Sequence, residues 1–336
     1  MSEIPAEIRH YQKNWQQQLA EAIGSLEELC AYLDLPMDQL PVSVAAAKDF
    51  PLRVPLNFAD CMEKGNPNDP LLRQILPVRD ELTFYPNYSD DPVGDLQAAT
   101  ESGVLHKYHG RMLMINTGSC AIHCRYCFRR NFPYGDFQLS KQREFAAVQS
   151  IREDSSITEV ILSGGDPLLL NDARLGSLIR ELSAVGHLRR IRIHSRLPVV
   201  LPSRITEKLV GLLVESGKQI ILVIHCNHAR EINDRVAAAC RILNGSGITV
   251  LNQSVLLKGV NDSADALCEL SERLFGVGVI PYYLHLLDKA RGTGHFEVSR
   301  TEALAILRQV QNRLPGYLVP RLVQEQAGAP AKQHVY

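Results

Sequence analysis

From about Arg111 onward one pattern limits the folds open to this chain: short apolar runs separated by stretches with helical spacing. The runs are Met112 to Asn116, Glu159 to Ser163, Ile191 to Ser195, Ile220 to His225, Val250 to Val255 and Val279 to His285. Strands alternating with helices build a parallel sheet, because a parallel pair needs a long crossover and a helix supplies it with right-handed geometry. The ends of the runs turn polar: Ser119 and Cys120, Ser163 to Asp166, His194 and Ser195, His225, Gln253, His285. One polar residue after a strand is ordinary loop. Six in succession predict a site at the C-terminal rim of a barrel-like α/β fold.

The first hundred residues carry no such alternation. Trp15 to Leu33 has apolar residues at helical spacing, and Pro51, Pro55, Pro67 and Pro70 punctuate the stretch beyond it. We expect a helical N-terminal region over residues 1–105, an α/β unit over 106–300, and a C-terminal helix and tail over 301–336. Hydrophobic residues at 45% and charged residues at 22% describe a globular enzyme with a sizeable core. No apolar run reaches the ~18 residues of a membrane span, and the N-terminus lacks an apolar leader, so a cytoplasmic protein with eight reduced cysteines is expected. Lys plus Arg at 36 against Asp plus Glu at 37 leaves no basic footprint for nucleic acid. A small-molecule substrate is the expectation, with no nucleic-acid or membrane partner.

Three of the cysteines, Cys120, Cys124 and Cys127, fall in Cys-Ala-Ile-His-Cys-Arg-Tyr-Cys. Three thiolates can hold three irons of a four-iron four-sulfur cluster and leave the fourth open to another ligand. The alternative is zinc, which needs four ligands and would recruit His123; zinc motifs usually come as paired Cys-x2-Cys hooks, which favours the cluster. With an aromatic residue before the last cysteine, the motif resembles that of the radical S-adenosylmethionine (SAM) enzymes. The resemblance implies a [4Fe-4S] cluster that chelates SAM, an external electron donor, and a partial six-stranded parallel (β/α)6 barrel. Tyr126 would lie against the adenine. In Ser163-Gly164-Gly165-Asp166-Pro167 the glycines let backbone approach a ligand, and the family uses a comparable segment for the SAM amino group, with Asp166 facing its charge. By itself Gly-Gly is a turn. His225 and Gln253 are the next SAM candidates, each alone equally a strand cap.

A narrower resemblance rests on Phe50-Pro-Leu-Arg-Val-Pro55, Gly65-Asn-Pro-Asn-Asp-Pro-Leu-Leu-Arg73, Asp91-Pro-Val-Gly-Asp95, Cys127-Phe-Arg-Arg130, Ser163-Gly-Gly-Asp-Pro-Leu168, Arg192-Ile-His-Ser-Arg196 and Gly292-Thr-Gly-His-Phe296. From about residue 45 to the end the chain is similar to the lysine 2,3-aminomutase family. The resemblance adds pyridoxal phosphate (PLP), which needs a lysine as its covalent anchor. Lys332, in Ala327-Gly-Ala-Pro-Ala-Lys332, matches that lysine, although Ala and Pro replace the family's glycines. Lys107, Tyr108 and Arg111, preceding the first apolar run, match positions around PLP. Arg129 matches the arginine for the substrate carboxylate, a task suited to its planar fork. Asp288 and Glu325 match two carboxylates that hold the ε-ammonium of lysine, with Glu where the family usually has Asp. Read without the family, these are a tail lysine, a basic turn and solvated charges.

The activity so implied is conversion of L-lysine to (R)-β-lysine, with the nitrogen moving from C2 to C3. His285-Leu-Leu-Asp288-Lys289, Glu325 and an end at Tyr336, four residues after Lys332, resemble the branch whose product a separate ligase attaches to elongation factor P. A catabolic lysine 2,3-aminomutase or a related amino-acid 2,3-aminomutase is the alternative, and a non-catalytic iron-sulfur or zinc protein a remote one. Glutamate is disfavoured as substrate because Asp288 and Glu325 would repel its side chain. Oligomeric state, the donor and direct contact with the ligase are not legible in the residues.

Overall fold

Six helices of the α/β part begin where the sequence supplies a cap. Ser140, Asn171, Thr206, Asn233, Ser263 and Ser299 each accept the backbone N–H three residues on, opening helices Lys141–Glu153, Asp172–Ser183, Glu207–Val214, Asp234–Gly245, Ala264–Gly276 and Arg300–Arg313. The computed structural model describes residues 10–99, 104–137 and 140–336.

Between these helices run the strands of one sheet, paired in chain order: β1 Val104–Tyr108, β2 Arg111–Thr117, β3 Glu159–Gly164, β4 Arg190–Ser195, β5 Gln219–His225, β6 Thr249–Val255, β7 Ile280–His285, β8 Arg321–Gln324 and β9 Gln333–His334. Strands β2 to β8 are parallel, while β1 and β9 are antiparallel edges. The sheet is an open, partial barrel. The six apolar runs are β2 to β7, displaced by at most a residue or so at either end. Three strands lie outside them. β1 is half polar, β8 has four residues and β9 two, so none presents an apolar run.

This corrects one expectation. Lys107 and Tyr108 belong to β1 and Arg111 opens β2, so they sit on a hairpin turned at His109-Gly110, with Gly110 at φ +70°. They are strand residues, not a basic turn ahead of the first strand.

Period-two alternation divides the sheet between core and site. On β4, Ile191 and Ile193 are buried, and Arg192 and His194 face the barrel interior. The outer residues pack with Leu178, Leu182, Leu209, Leu213 and Val236 of the surrounding helices. Leu29, Phe58, Leu71 and Ile75 of the N-terminal region join the same core. Each such side chain contributes about 1.5–3 kcal/mol on burial, so the N-terminal helices are stabilised by the sheet they cover. Among the described residues no helix is long and apolar enough to cross a membrane.

Candidate active site

A cavity of about 450 Å³ opens inside the sheet at the C-terminal strand ends. Cys120, Cys124, Cys127, Tyr126, Gly164, Gly165, Asp166, His225, Gln253, Arg129, Lys107, Tyr108, Arg111, Asp288, Glu325 and Lys332 all line it. The chain brings every sequence-predicted site residue to one place, from positions 225 residues apart at the extremes (332 − 107).

The cysteines ride on the loop after β2, and the N-terminal region grips that loop. Arg53 Nη1 donates to the Cys120 carbonyl at 3.0 Å, and the Arg125 amide donates to the Gln74 carbonyl at 2.8 Å. Arg125, fully buried, places Nε 2.8 Å and Nη2 2.5 Å from the two carboxylate oxygens of Glu81. Arg130 Nη2 reaches the same carboxylate at 2.6 Å. Such a bidentate, desolvated pairing fixes orientation, and removing either partner leaves a buried charge uncompensated.

From the other side, β3 ends on the two glycines. A Cβ on Gly165 would stand 2.3 Å from the Ser119 carbonyl oxygen, and one on Gly164, at φ +119°, 2.6 Å from that of Thr117. The double glycine is thus demanded by backbone packed on backbone: Gly165 N donates to Thr117 O at 2.6 Å and Asp166 N to Ser119 O at 2.8 Å. The Asp166 carboxylate differs from expectation as well. Oδ1 accepts from the Leu168 amide and the Ser195 hydroxyl, and Oδ2 from the amides of Arg196 and Leu197. It ties the turn after β3 to the end of β4, and burial pushes its pKa up to about 6.

The donor set suits an iron cluster. Burial, then the neighbouring Cys127, Asp166 and Cys124, drive the Cys120 thiol well above its usual range; burial and Cys124 push Cys127 up to about 11. Thiols that close to one another deprotonate together only around strong positive charge. A cluster asks for one thiolate on each of three irons, and three cysteines of one loop line the cavity. His123, the zinc alternative's fourth ligand, is not among the cavity residues. Its Nδ1 lies 2.7 Å from the Pro51 carbonyl, and its ring stacks on Phe50. Tyr126 is buried beside Phe296, its hydroxyl accepting from Asn227 Nδ2 at 2.7 Å.

The same cavity is lined by a set of charges. Lys332 follows a turn in which Gly328 takes φ +76°, a left-handed conformation that glycine adopts without strain. Lys332 Nζ donates to Glu325 Oε2 at 2.5 Å, and the Tyr108 hydroxyl donates to Glu325 Oε1. Burial would raise Glu325; Lys332, Tyr108 and Lys107 outweigh it and hold the carboxyl below its ordinary range. Beside them Asp95 bridges two cations, with Arg129 Nε at 2.7 Å and Lys107 Nζ at 2.5 Å. Arg129 also reaches the Ser163 hydroxyl at 3.2 Å. Arg111 stacks over the Tyr108 ring. Asp288 is different. Burial, opposed by Lys332 and reinforced by Glu325 and Asp95, pushes it up to about 7, so a cationic ligand would ionise it.

His225 and Gln253 contact each other, Nε2 to Nε2 at 2.5 Å. Burial pushes His225 down to about 3 and holds His194 and His285 well below the ordinary histidine value, so the ring presents neutral imidazoles. His194 and His285 line the cavity, and their Nε2 atoms are buried without a hydrogen-bond partner among the described residues. Sequence reasoning assigned no role to Asp95, Glu81, Arg125, Arg196 or Glu231. Asp95 and Arg196 stood inside motifs already noted, whereas nothing local marks Glu81 or Glu231.

A sequence model of the radical SAM superfamily matches residues 114–270. The chain is 47% identical over 321 residues to the L-lysine 2,3-aminomutase of Escherichia coli (strain K12), covering 95% of this chain and 94% of the relative. It is also 47% identical to that of Haemophilus influenzae, over 96% and 95% of the two chains. Against the L-lysine 2,3-aminomutase of Clostridium subterminale the identity is 32%, over 96% of this chain and 77% of the relative.

Proposed function

The chain belongs to the lysine 2,3-aminomutase family of radical SAM enzymes, which are isomerases, and on that premise we propose that it converts L-lysine to (R)-β-lysine with PLP as a further cofactor, for modification of elongation factor P. One observation carries the reading: a single cavity is lined both by three thiols and by a lysine with carboxylates matched to a second ammonium. Cys120, Cys124 and Cys127 would hold the cluster, and Lys332 would anchor PLP, with Tyr108 and Arg111 beside it. When bound, cluster and SAM supply a carbon-centred radical and PLP a covalent hold on the migrating nitrogen.

The chain's own residues supply placement. Arg129, already held by Asp95, presents its guanidinium to the substrate carboxylate. At the far end Asp288 and Glu325 face the ε-ammonium; without PLP, Lys332 pairs with Glu325, and anchoring PLP would free that carboxylate for the substrate. Holding both ends fixes C2 and C3 within the cavity, where orientation contributes most to rate. His285-Leu-Leu-Asp288-Lys289 and Glu325 support the elongation factor P branch. The direct test incubates anaerobically reconstituted, reduced protein with SAM, PLP and L-lysine. Chromatography is expected to show β-lysine accumulating beyond one equivalent of enzyme; unchanged lysine beside cleaved SAM would contradict it.

The raised pKa of Asp288 gives this reading a pH signature. Only the ionised carboxylate pairs with an ammonium, so kcat/KM for lysine is expected to climb about tenfold per unit below pH 7 and level off above it, and Asp288→Asn to lose that limb. Stability runs the opposite way. The folded carboxyl binds its proton up to about 7 against an ordinary 3.8, so the empty protein loses stability as pH rises through that window. Bound lysine is expected to raise Tm more at pH 8 than at pH 6.

A further inference from the structure

Arg196 follows β4 and is 6% exposed. Its guanidinium lies over the Phe58 and Tyr126 rings, centred 5.0 Å and 5.7 Å away. Nη2 donates to Gln74 Oε1 at 2.7 Å and to Glu231 Oε2 at 3.1 Å. Gln74 Nε2 in turn donates to Glu231 Oε1 at 2.9 Å, and Asp166 holds the Arg196 amide at 2.8 Å. Elements from the N-terminal region, β3, β4 and β5 therefore converge on this guanidinium. Nε is buried with no hydrogen-bond partner among the described residues, and Nη1 donates to Cys124 Sγ at 2.7 Å.

We propose that Arg196 is a positioning residue that sets the reduction potential of the cluster through this hydrogen bond to Cys124, with Glu231 moderating its charge. The inference rests on Cys124 being a cluster ligand. Reduction adds one electron, delivered by an external reductant, to a cluster already carrying the negative charge of its sulfurs. A fixed cation hydrogen-bonded to a ligand sulfur stabilises the reduced state more than the oxidised one and raises the potential. Placement on a thiolate sulfur, away from the lysine-facing carboxylates, separates this task from substrate binding. Glu231, 1% exposed and bonded to the Asn227 and His228 amides, offsets part of the arginine charge without touching a cysteine.

The test is a redox titration followed by electron paramagnetic resonance on full-length, reconstituted protein without SAM, after iron and sulfide analysis. Absence of a cluster in the parent protein would sink the ligand assignment itself. With a cluster present, Arg196→Gln is expected to make reduction at least tenfold less favourable, 59 mV lower for a one-electron couple. Arg196→Lys, which keeps the charge and loses the fork, should fall between. Glu231→Gln should move the potential the opposite way, upward. Full iron content in Arg196→Gln with an unchanged SAM-free potential would overturn the proposal, even if SAM affinity fell. Should Arg196→Gln fail to fold or load, Glu231→Gln decides: an upward shift supports the proposal and no shift refutes it.

Discussion

Alanine at Cys120, Cys124 or Cys127 is expected to abolish either the brown chromophore of the anaerobically reconstituted protein or its SAM cleavage, while Cys240→Ala leaves both intact. The four positions differ in surroundings more than in chemistry. The first three share the rim of one cavity, where Cys127 and Cys124 add to burial in raising the pKa of Cys120, and Cys124 does the same for Cys127, so one missing ligand exposes an iron that the remaining two thiols cannot compensate. Cys240 is fully buried on helix Asp234–Gly245 among outer core residues, where its loss leaves only a small gap. Iron analysis and SAM cleavage measured on all four variants check this, and three cysteine variants with full clusters and full cleavage would refute the ligand assignment.

Lys332→Ala is expected to lose both turnover and the PLP adduct that borohydride fixes to the parent protein, with iron content unchanged. Two lysines line the cavity among the described residues, and the proposed function assigns this task to Lys332. Lys107 is held by Asp95 and by the Val93 carbonyl at 2.7 Å. Lys332 has Glu325 as its partner, a carboxylate that can keep the ammonium or receive the substrate's. Because the thiols lie on a different loop, cluster loading is independent of this residue. Peptide mass spectrometry of the reduced adduct would contradict the assignment if the label sat on Lys107.

Much of this architecture could be read from residues alone, for a physical reason: β2 to β7 are buried strands, and burial writes itself as apolar runs that helical crossovers separate. β1, β8 and β9 escaped because strands of two to five residues, two of them at the sheet edges, are too short or too polar to show such a run. The cavity's membership was legible through motif positions, its internal pairing was not. Asp95 holding Arg129 and Lys107 joins positions 34 and 12 residues apart, and Tyr108 donating to Glu325 joins positions 217 apart; no local period records such contacts. Gly164 and Gly165 were noticed for a ligand's approach, whereas the close approach they permit is that of the Thr117–Ser119 backbone. Glu81 shows the limit most plainly. Its clamp on Arg125 and Arg130 depends on an N-terminal segment folding over a loop 44 residues later.

Under the proposed function this cavity selects an amino acid with a second ammonium and moves the α-nitrogen from C2 to C3. The measurement that tests it most directly offers equal concentrations of lysine, its uncharged analogue norleucine and glutamate to the reconstituted protein, then counts the β-amino products. Each carboxylate facing the ε-ammonium contributes about 1.5–3 kcal/mol, roughly tenfold to a hundredfold in discrimination. The parent protein should give β-lysine almost alone, and the Asp288→Asn/Glu325→Gln double variant should treat lysine no better than norleucine while keeping its cluster and PLP. A parent that converts norleucine as readily as lysine, or a double variant that still strongly prefers lysine, would contradict the account.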